Sequence, residues 1–227
     1  MSRHARRITH PELPASGLVA LCDESMRQRT EGSTGIYILS AIIAETAALP
    51  VIRDGMTGLL LRKQRGKLHW RAESSSRRDV LARKVGGLPA EIVVATFCGL
   101  IRNKQERARK KALHTLLLDL ADRAVSAAIL ESRGDREDSS DIAELQRLRR
   151  TGALEPRLRM SHRLGADEPA LWAADIAAGA YVAAHADTGK HWATLQAGGK
   201  VTVLTCSACG SPHLPGSGDE GLWDAQP

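Results

Sequence analysis

Aromatic residues are scarce in this chain of 227 residues, with one Phe, two Tyr and four Trp making up 3% of it. Platforms that stack unpaired bases need several exposed rings, so that mode of single-strand recognition is disfavoured. A membrane-spanning run is also missing. The longest apolar stretch, residues 170–186, is mostly Ala and carries an acid, which makes it a poor span. The N-terminal residues are polar and lack the apolar core of a secretion signal. The expected setting is therefore the cytoplasm, with reduced thiols. Cysteine is limited to Cys22, Cys98, Cys206 and Cys209. The first two fall inside predicted strands and count as small apolar residues. Cys206 and Cys209, with His213, supply only half the ligand spacing of a structural zinc site. No Ser-His-Asp order and no phosphate-binding glycine loop stands out, which leaves few routes to covalent or nucleotide chemistry.

What is present is an ordinary apolar fraction of 43% and a basic balance, 32 Lys plus Arg against 26 Asp plus Glu. One domain with a real core is expected at this length. Residues 1–16 read as a flexible basic arm, 17–204 as the domain and 205–227 as a mobile tail. Arg102-Asn103-Lys104-Gln105-Glu106-Arg107-Ala108-Arg109-Lys110-Lys111 concentrates the basic charge. Arg102, Lys104, Arg107, Arg109, Lys110 and Lys111 are thus candidate contacts to a nucleic-acid backbone, or equally a solvated helix face.

The pattern of apolar residues predicts strands near 18–23, 35–44, 91–99, 125–131 and 157–162. Helices are predicted near 47–65, 74–85, 104–122, 141–150 and 170–186. Residues 24–34 read as a polar turn. The short link makes the first two strands an antiparallel hairpin. The later alternation of strands and helices implies a mixed five-stranded sheet flanked by helices, an α/β class.

Three acids stand out against that frame. Asp175 is the only acid in the apolar run 170–186, and a charge there persists only if protonated, paired or bound to a cation. Asp23 closes the first apolar strand, and Glu131 closes the fourth. Strands one and four lying side by side would bring Asp23 and Glu131 together, with the last helix adding Asp175. Three such acids repel one another, and a divalent cation relieves the repulsion. A pair of Mg²⁺ or Mn²⁺ ions on carboxylates suits phosphodiester hydrolysis. Glu106, opening the helix after the third strand, is a candidate fourth acid, or a surface Glu paired with Lys110. Glu24 and Glu73 are weaker candidates. His69 is a candidate for proton transfer or phosphate contact, or a half-buried residue beside Trp70.

Cys22-Asp23-Glu24-Ser25 resembles the Asp-Glu-Ser-Gly opening of the family catalogued as domain of unknown function 3800. Leu171-Trp172-Ala173-Ala174-Asp175-Ile176-Ala177-Ala178-Gly179 resembles that family's closing Leu-Gln-x-Ala-Asp-x-x-Ala-Gly helix, and Lys67-Leu68-His69-Trp70 its middle segment. Met26 stands where that pattern has Gly, Trp172 where it has Gln, and Glu131 where Asp is commoner. The family looks like a member of the ribonuclease H-like superfamily. The resemblance implies a metal-dependent nuclease with acids at Asp23, Glu106, Glu131 and Asp175, and nucleic acid as its partner. A domain of the same fold that binds nucleic acid or protein without catalysis is the alternative.

Overall fold

The structure, a computed structural model, describes residues 13–28, 35–62, 66–100, 104–186 and 189–206. The expected contacts or ligands Arg102, Cys209 and His213 lie outside the described residues, as do most of the N-terminal arm and the tail beyond Cys206.

The strand β1 (Leu18–Arg27) over its first five residues, and β2 (Ile36–Glu45) almost throughout, are apolar because both faces of the sheet are covered there. They form the expected antiparallel hairpin. After α1 (Leu49–Thr57) and α2 (Ser75–Gly86) comes β3 (Glu91–Cys98), antiparallel to β2. Then follow α3 (Gln105–Asp122), β4 (Ala127–Glu131), α4 (Asp135–Arg150), β5 (Arg159–Arg163), α5 (Leu171–Ala184), α6 (Lys190–Gly198) and β6 (Lys200–Thr205). The strand order is β5-β4-β1-β2-β3-β6, with β4 parallel to β1, β5 to β4 and β6 to β3.

Six strands stand where five were expected. The sixth, Lys-Val-Thr-Val-Leu-Thr, alternates β-branched residues and pairs with the open edge of β3. Cys206, next to the end of this strand, is buried, its N–H donating to the Thr96 carbonyl at 3.0 Å. A second correction concerns β1. Its polar end, from Glu24 to Arg27, is not a turn, because it stays paired with β2 down to Ile36.

Two apolar layers sandwich the sheet. On one face α5, α2 and the Trp70 segment pack on Val19, Leu21, Ile38 and Ile42. On the other, α3 sets Leu113, Leu116, Leu117 and Leu120 against Ala20, Cys22 and Leu39. That leucine spacing is one helical stripe. The helix α5 is buried nearly all round. No helix among the described residues is long and apolar enough to cross a membrane.

Candidate active site

Asp23 lies at a fork in the sheet. The ladder between β1 and β4 closes with Cys22 opposite Leu130, while β1 continues alongside β2. Asp23 and Glu131 are the next residues on the two diverging strands. Strand alternation turns both toward the face that carries Leu21 and Ile129, which α5 covers. The expected pairing of strands one and four therefore brings these two acids together.

The third acid is seated by Ser40, the partner of Asp23 across the hairpin. Its buried hydroxyl donates to the Ala174 carbonyl at 2.7 Å, which holds α5 against the sheet one residue before Asp175. Residues 67–70 close the group from outside. The Trp70 N–H donates to Asp175 Oδ2 at 2.8 Å. The Lys67 ammonium donates to both carboxylate oxygens of Glu131 and lies 3.8 Å from Asp23 Oδ2. His69 is exposed, and its charge acts on Asp175.

Two glycines make this closure possible. A Cβ on Gly165 would stand 2.6 Å from Lys67 Cδ and 2.7 Å from Glu131 Oε1. A Cβ on Gly179 would overlap the Trp70 ring. The sequence marks Gly179 only as a small residue in an apolar helix. Its cause is a ring that arrives from more than a hundred residues away.

Burial first, then Glu131 as hydrogen-bond partner and like charge, then Asp175, hold the Asp23 carboxyl well above the usual carboxylate range, and Lys67 opposes them. Burial also raises Asp175. The Trp70 N–H, Lys67 and His69 pull it down, and Glu131 pushes it up. Asp23 and Asp175 thus both resist ionising, which is the electrostatic signature of a site short of positive charge.

The converging donors are all carboxylate oxygens, which suits a hard cation such as Mg²⁺ or Mn²⁺ better than zinc. Yet no three His, Cys, Asp or Glu side chains among the described residues are grouped as ligands of one ion. The Lys67 ammonium takes the place between Asp23 and Glu131 that such an ion would fill. The donor chemistry fits a divalent cation, and Lys67 is the group that has to give way to it. Lys67 falls in the middle segment of the resemblance, which gives it no role. A lysine beside a carboxylate carries no local pattern, so only the fold reveals the pairing.

Glu106 does not join the three acids. It sits on α3, in the opposite layer from α5. Its exposed carboxylate accepts from Arg133 at 2.8 Å, rather than from Lys110. The basic run is also on α3. Arg107, Lys110 and Lys111, with His114 and Arg147, line an open cleft of about 470 Å³ on that face, and Lys104 is exposed at the helix start. Arg109 departs from the expectation of a backbone contact: only 2% of it is exposed. Its guanidinium donates to both oxygens of Asp141, at 2.8 and 2.5 Å, and to Glu24. The α-helical period turns it inward while Arg107 and Lys110 face solvent.

Glu24 is likewise held, by Tyr37 and Arg109. Glu73 is buried and 3.7 Å from Arg77. Asp141 also receives His162 Nε2 at 3.0 Å. This buried polar cluster lies across the sheet from Asp23. Its members are distributed over β1, β2, α3, α4 and β5, a spacing that offers no sequence signal.

No family model matches this chain, and no curated protein matches it.

Proposed function

We propose that this chain is a ribonuclease H-like hydrolase of the cytoplasm that cleaves phosphodiester bonds of nucleic acid at Asp23, Glu131 and Asp175, with Mg²⁺ or Mn²⁺. The convergence of these three acids from β1, β4 and α5 carries the reading. Its fold component is supported by three antiparallel strands followed by two parallel ones laid beside β1. Asp23, Glu131 and Asp175 would hold the cation, which when bound supplies the charge that polarises a phosphodiester and lowers the pKa of water. Trp70 orients Asp175 through its N–H. Lys67 pairs with Glu131 and lies near Asp23, so it would offset their charge wherever no cation is bound. Exposed His69, beside Asp175, is placed to contact a phosphate of the substrate.

Cleavage of labelled DNA and RNA in Mn²⁺ by wild type and Asp175→Asn tests the reading. We expect the variant to lose about 100-fold or more of the rate, as for removal of one group that stabilises developing charge, with its thermal midpoint preserved. Equal cleavage by the two proteins would remove the assignment. The ammonium of Lys67 favours a second reading, a non-catalytic domain that binds nucleic acid or a protein partner. In that case its pairing with Glu131 is permanent, and wild type shows no Mn²⁺-dependent cleavage.

A further inference from the structure

A cleft of about 540 Å³ opens beside Asp175 at the end of β1, lined by Ser25, Arg27, Gln28 and Arg71 as well. Several arginines of this protein are paired with acids, whereas Arg78 and Arg149 donate to backbone carbonyls. Arg53 binds Glu168, Arg109 binds Asp141, Arg123 binds Asp119 and Arg147 binds Glu144. The two in the cleft are held in the second way. Arg27 Nη1 donates to the His185 carbonyl at 2.7 Å, and Arg71 Nη2 donates to the Met26 carbonyl at 2.7 Å. Backbone carbonyls fix both guanidiniums in place, and neither makes an ion pair with an acid among the described residues.

Two polar atoms of residues that line the cleft also lack a hydrogen-bond partner among the described residues. These are Arg27 Nε and Gln28 Oε1, both buried. Such orphans cost stability unless a ligand satisfies them. A planar fork with a spare N–H matches two oxygens of a phosphate, and the amide oxygen beside it accepts from a hydroxyl or amine. Glu24, the other acid of the lining, is already committed to Tyr37 and Arg109. The cleft therefore presents excess positive charge directly next to a carboxylate of the acid group.

We propose that this cleft is a phosphate subsite, in which Arg27 and Arg71 grip a phosphate group of the substrate adjacent to the bond presented to Asp23 and Asp175. Its place in catalysis rests on the hydrolase reading; binding of the anion does not. The basic run on α3 lies in the other layer, so the two surfaces are separable by mutation.

The experiment follows fluorescence anisotropy of a labelled single-stranded oligonucleotide, with EDTA present, on the full chain at low salt. Inorganic phosphate and a mononucleotide are titrated in parallel. Arg27→Gln/Arg71→Gln is expected to weaken binding about 10-fold or more and to flatten the salt dependence by about one phosphate contact, a slope near 0.7. Arg27→Lys/Arg71→Lys, which keeps charge but loses the fork, is expected to fall between. Thermal unfolding of both variants checks the fold. Loss confined to the oligonucleotide identifies a strand as the ligand, whereas parallel loss of inorganic phosphate identifies a free phosphate ester. Equal binding by wild type and the Gln variant, or no binding of any of the three by wild type, overturns the subsite. Cleavage is read separately. Binding that depends on Arg27 and Arg71 without any Mn²⁺-dependent cleavage keeps the subsite and overturns the hydrolase. Cleavage that the Gln variant retains in full at low substrate overturns the subsite alone.

Discussion

Lys67 and Glu131 are joined by two hydrogen bonds from one ammonium, and the same ammonium lies 3.8 Å from Asp23. A side chain thus supplies the positive charge that three converging carboxylates need. The arrangement makes Lys67 a tethered counter-ion, and stability at this site depends on which cation is present.

Replacement of Lys67 by Gln leaves Asp23, Glu131 and Asp175 without a compensating charge. Breaking a buried pair from one side costs about 3–5 kcal/mol; partial exposure of this pair brings the expectation to about 2 kcal/mol. Thermal unfolding should show the loss in EDTA and its partial recovery in millimolar Mg²⁺, because a ligand bound only to the native state stabilises it. Wild type should recover less, since its own ammonium competes. Equal shifts with Mg²⁺ in the two proteins would show that Lys67 and the cation do not share a position.

Asp23 should behave in the opposite way. Its folded pKa is raised, so ionisation is disfavoured in the native state. Below its unfolded pKa both states are protonated, and no penalty exists. As pH rises through the ordinary carboxylate range toward the folded value, the unfolded chain ionises first and stability falls. Asp23→Asn removes that loss. At pH 7 the variant is expected to be more stable than wild type by about 1–2 kcal/mol, and equal to it near pH 3. Urea unfolding at the two pH values measures the difference.

Across the sheet, Asp141 has the reverse sign. Burial pushes its carboxyl up, but hydrogen bonds from Arg109 and His162 override burial and bring it down to about 2. The stability this contributes is present above the unfolded carboxylate pKa and is lost as pH falls toward 2. Asp141→Asn strands the buried Arg109 charge and should cost about 3–5 kcal/mol in urea unfolding at pH 7. Wild type and variant should converge in stability as pH approaches 2. A loss below about 1 kcal/mol at pH 7 would mean that Glu24 alone satisfies Arg109.

Gly179→Ala tests the closure of residues 67–73 on α5. A single methyl at that position overlaps the Trp70 ring, although Ala is the better helix former by about 1 kcal/mol. Overpacking is expected to win, with a net loss of about 1–3 kcal/mol in chemical denaturation. Displacement of Trp70 also removes the N–H that holds Asp175, so cleavage or Mn²⁺ affinity should fall with stability. A stabilised variant would show that the ring packs elsewhere.

Much of the frame was legible. Apolar runs of strand length, a leucine stripe at 113–120 and an alanine helix with one acid place five strands and α5 by local periodicity alone. Pairing of β1 with β4 is not encoded by local pattern. It was the condition on which Asp23 and Glu131 were expected to meet, and the parallel ladder, from Val19 opposite Ala127 to Cys22 opposite Leu130, meets it. The end of β1 was missed because Glu24, Ser25 and Arg27 are polar. They are strand residues at a fork, where one neighbour has left and side chains turn to a cleft. The sixth strand was missed because its pattern follows the apparent close of the fold, and only an unpaired edge on β3 gives it a place.

By itself, the sequence determined that an isolated carboxylate must be buried in the last long helix, because periodicity and apolar surroundings are local properties of the chain. Tertiary structure alone decided that Lys67 answers it and its neighbours, that Arg109 turns inward to Asp141 while Arg27 and Arg71 keep their charge, and that Glu106 stands apart. Those pairings join segments dozens of residues apart. Electrostatic energy depends on distance in space, which no spacing along the chain encodes.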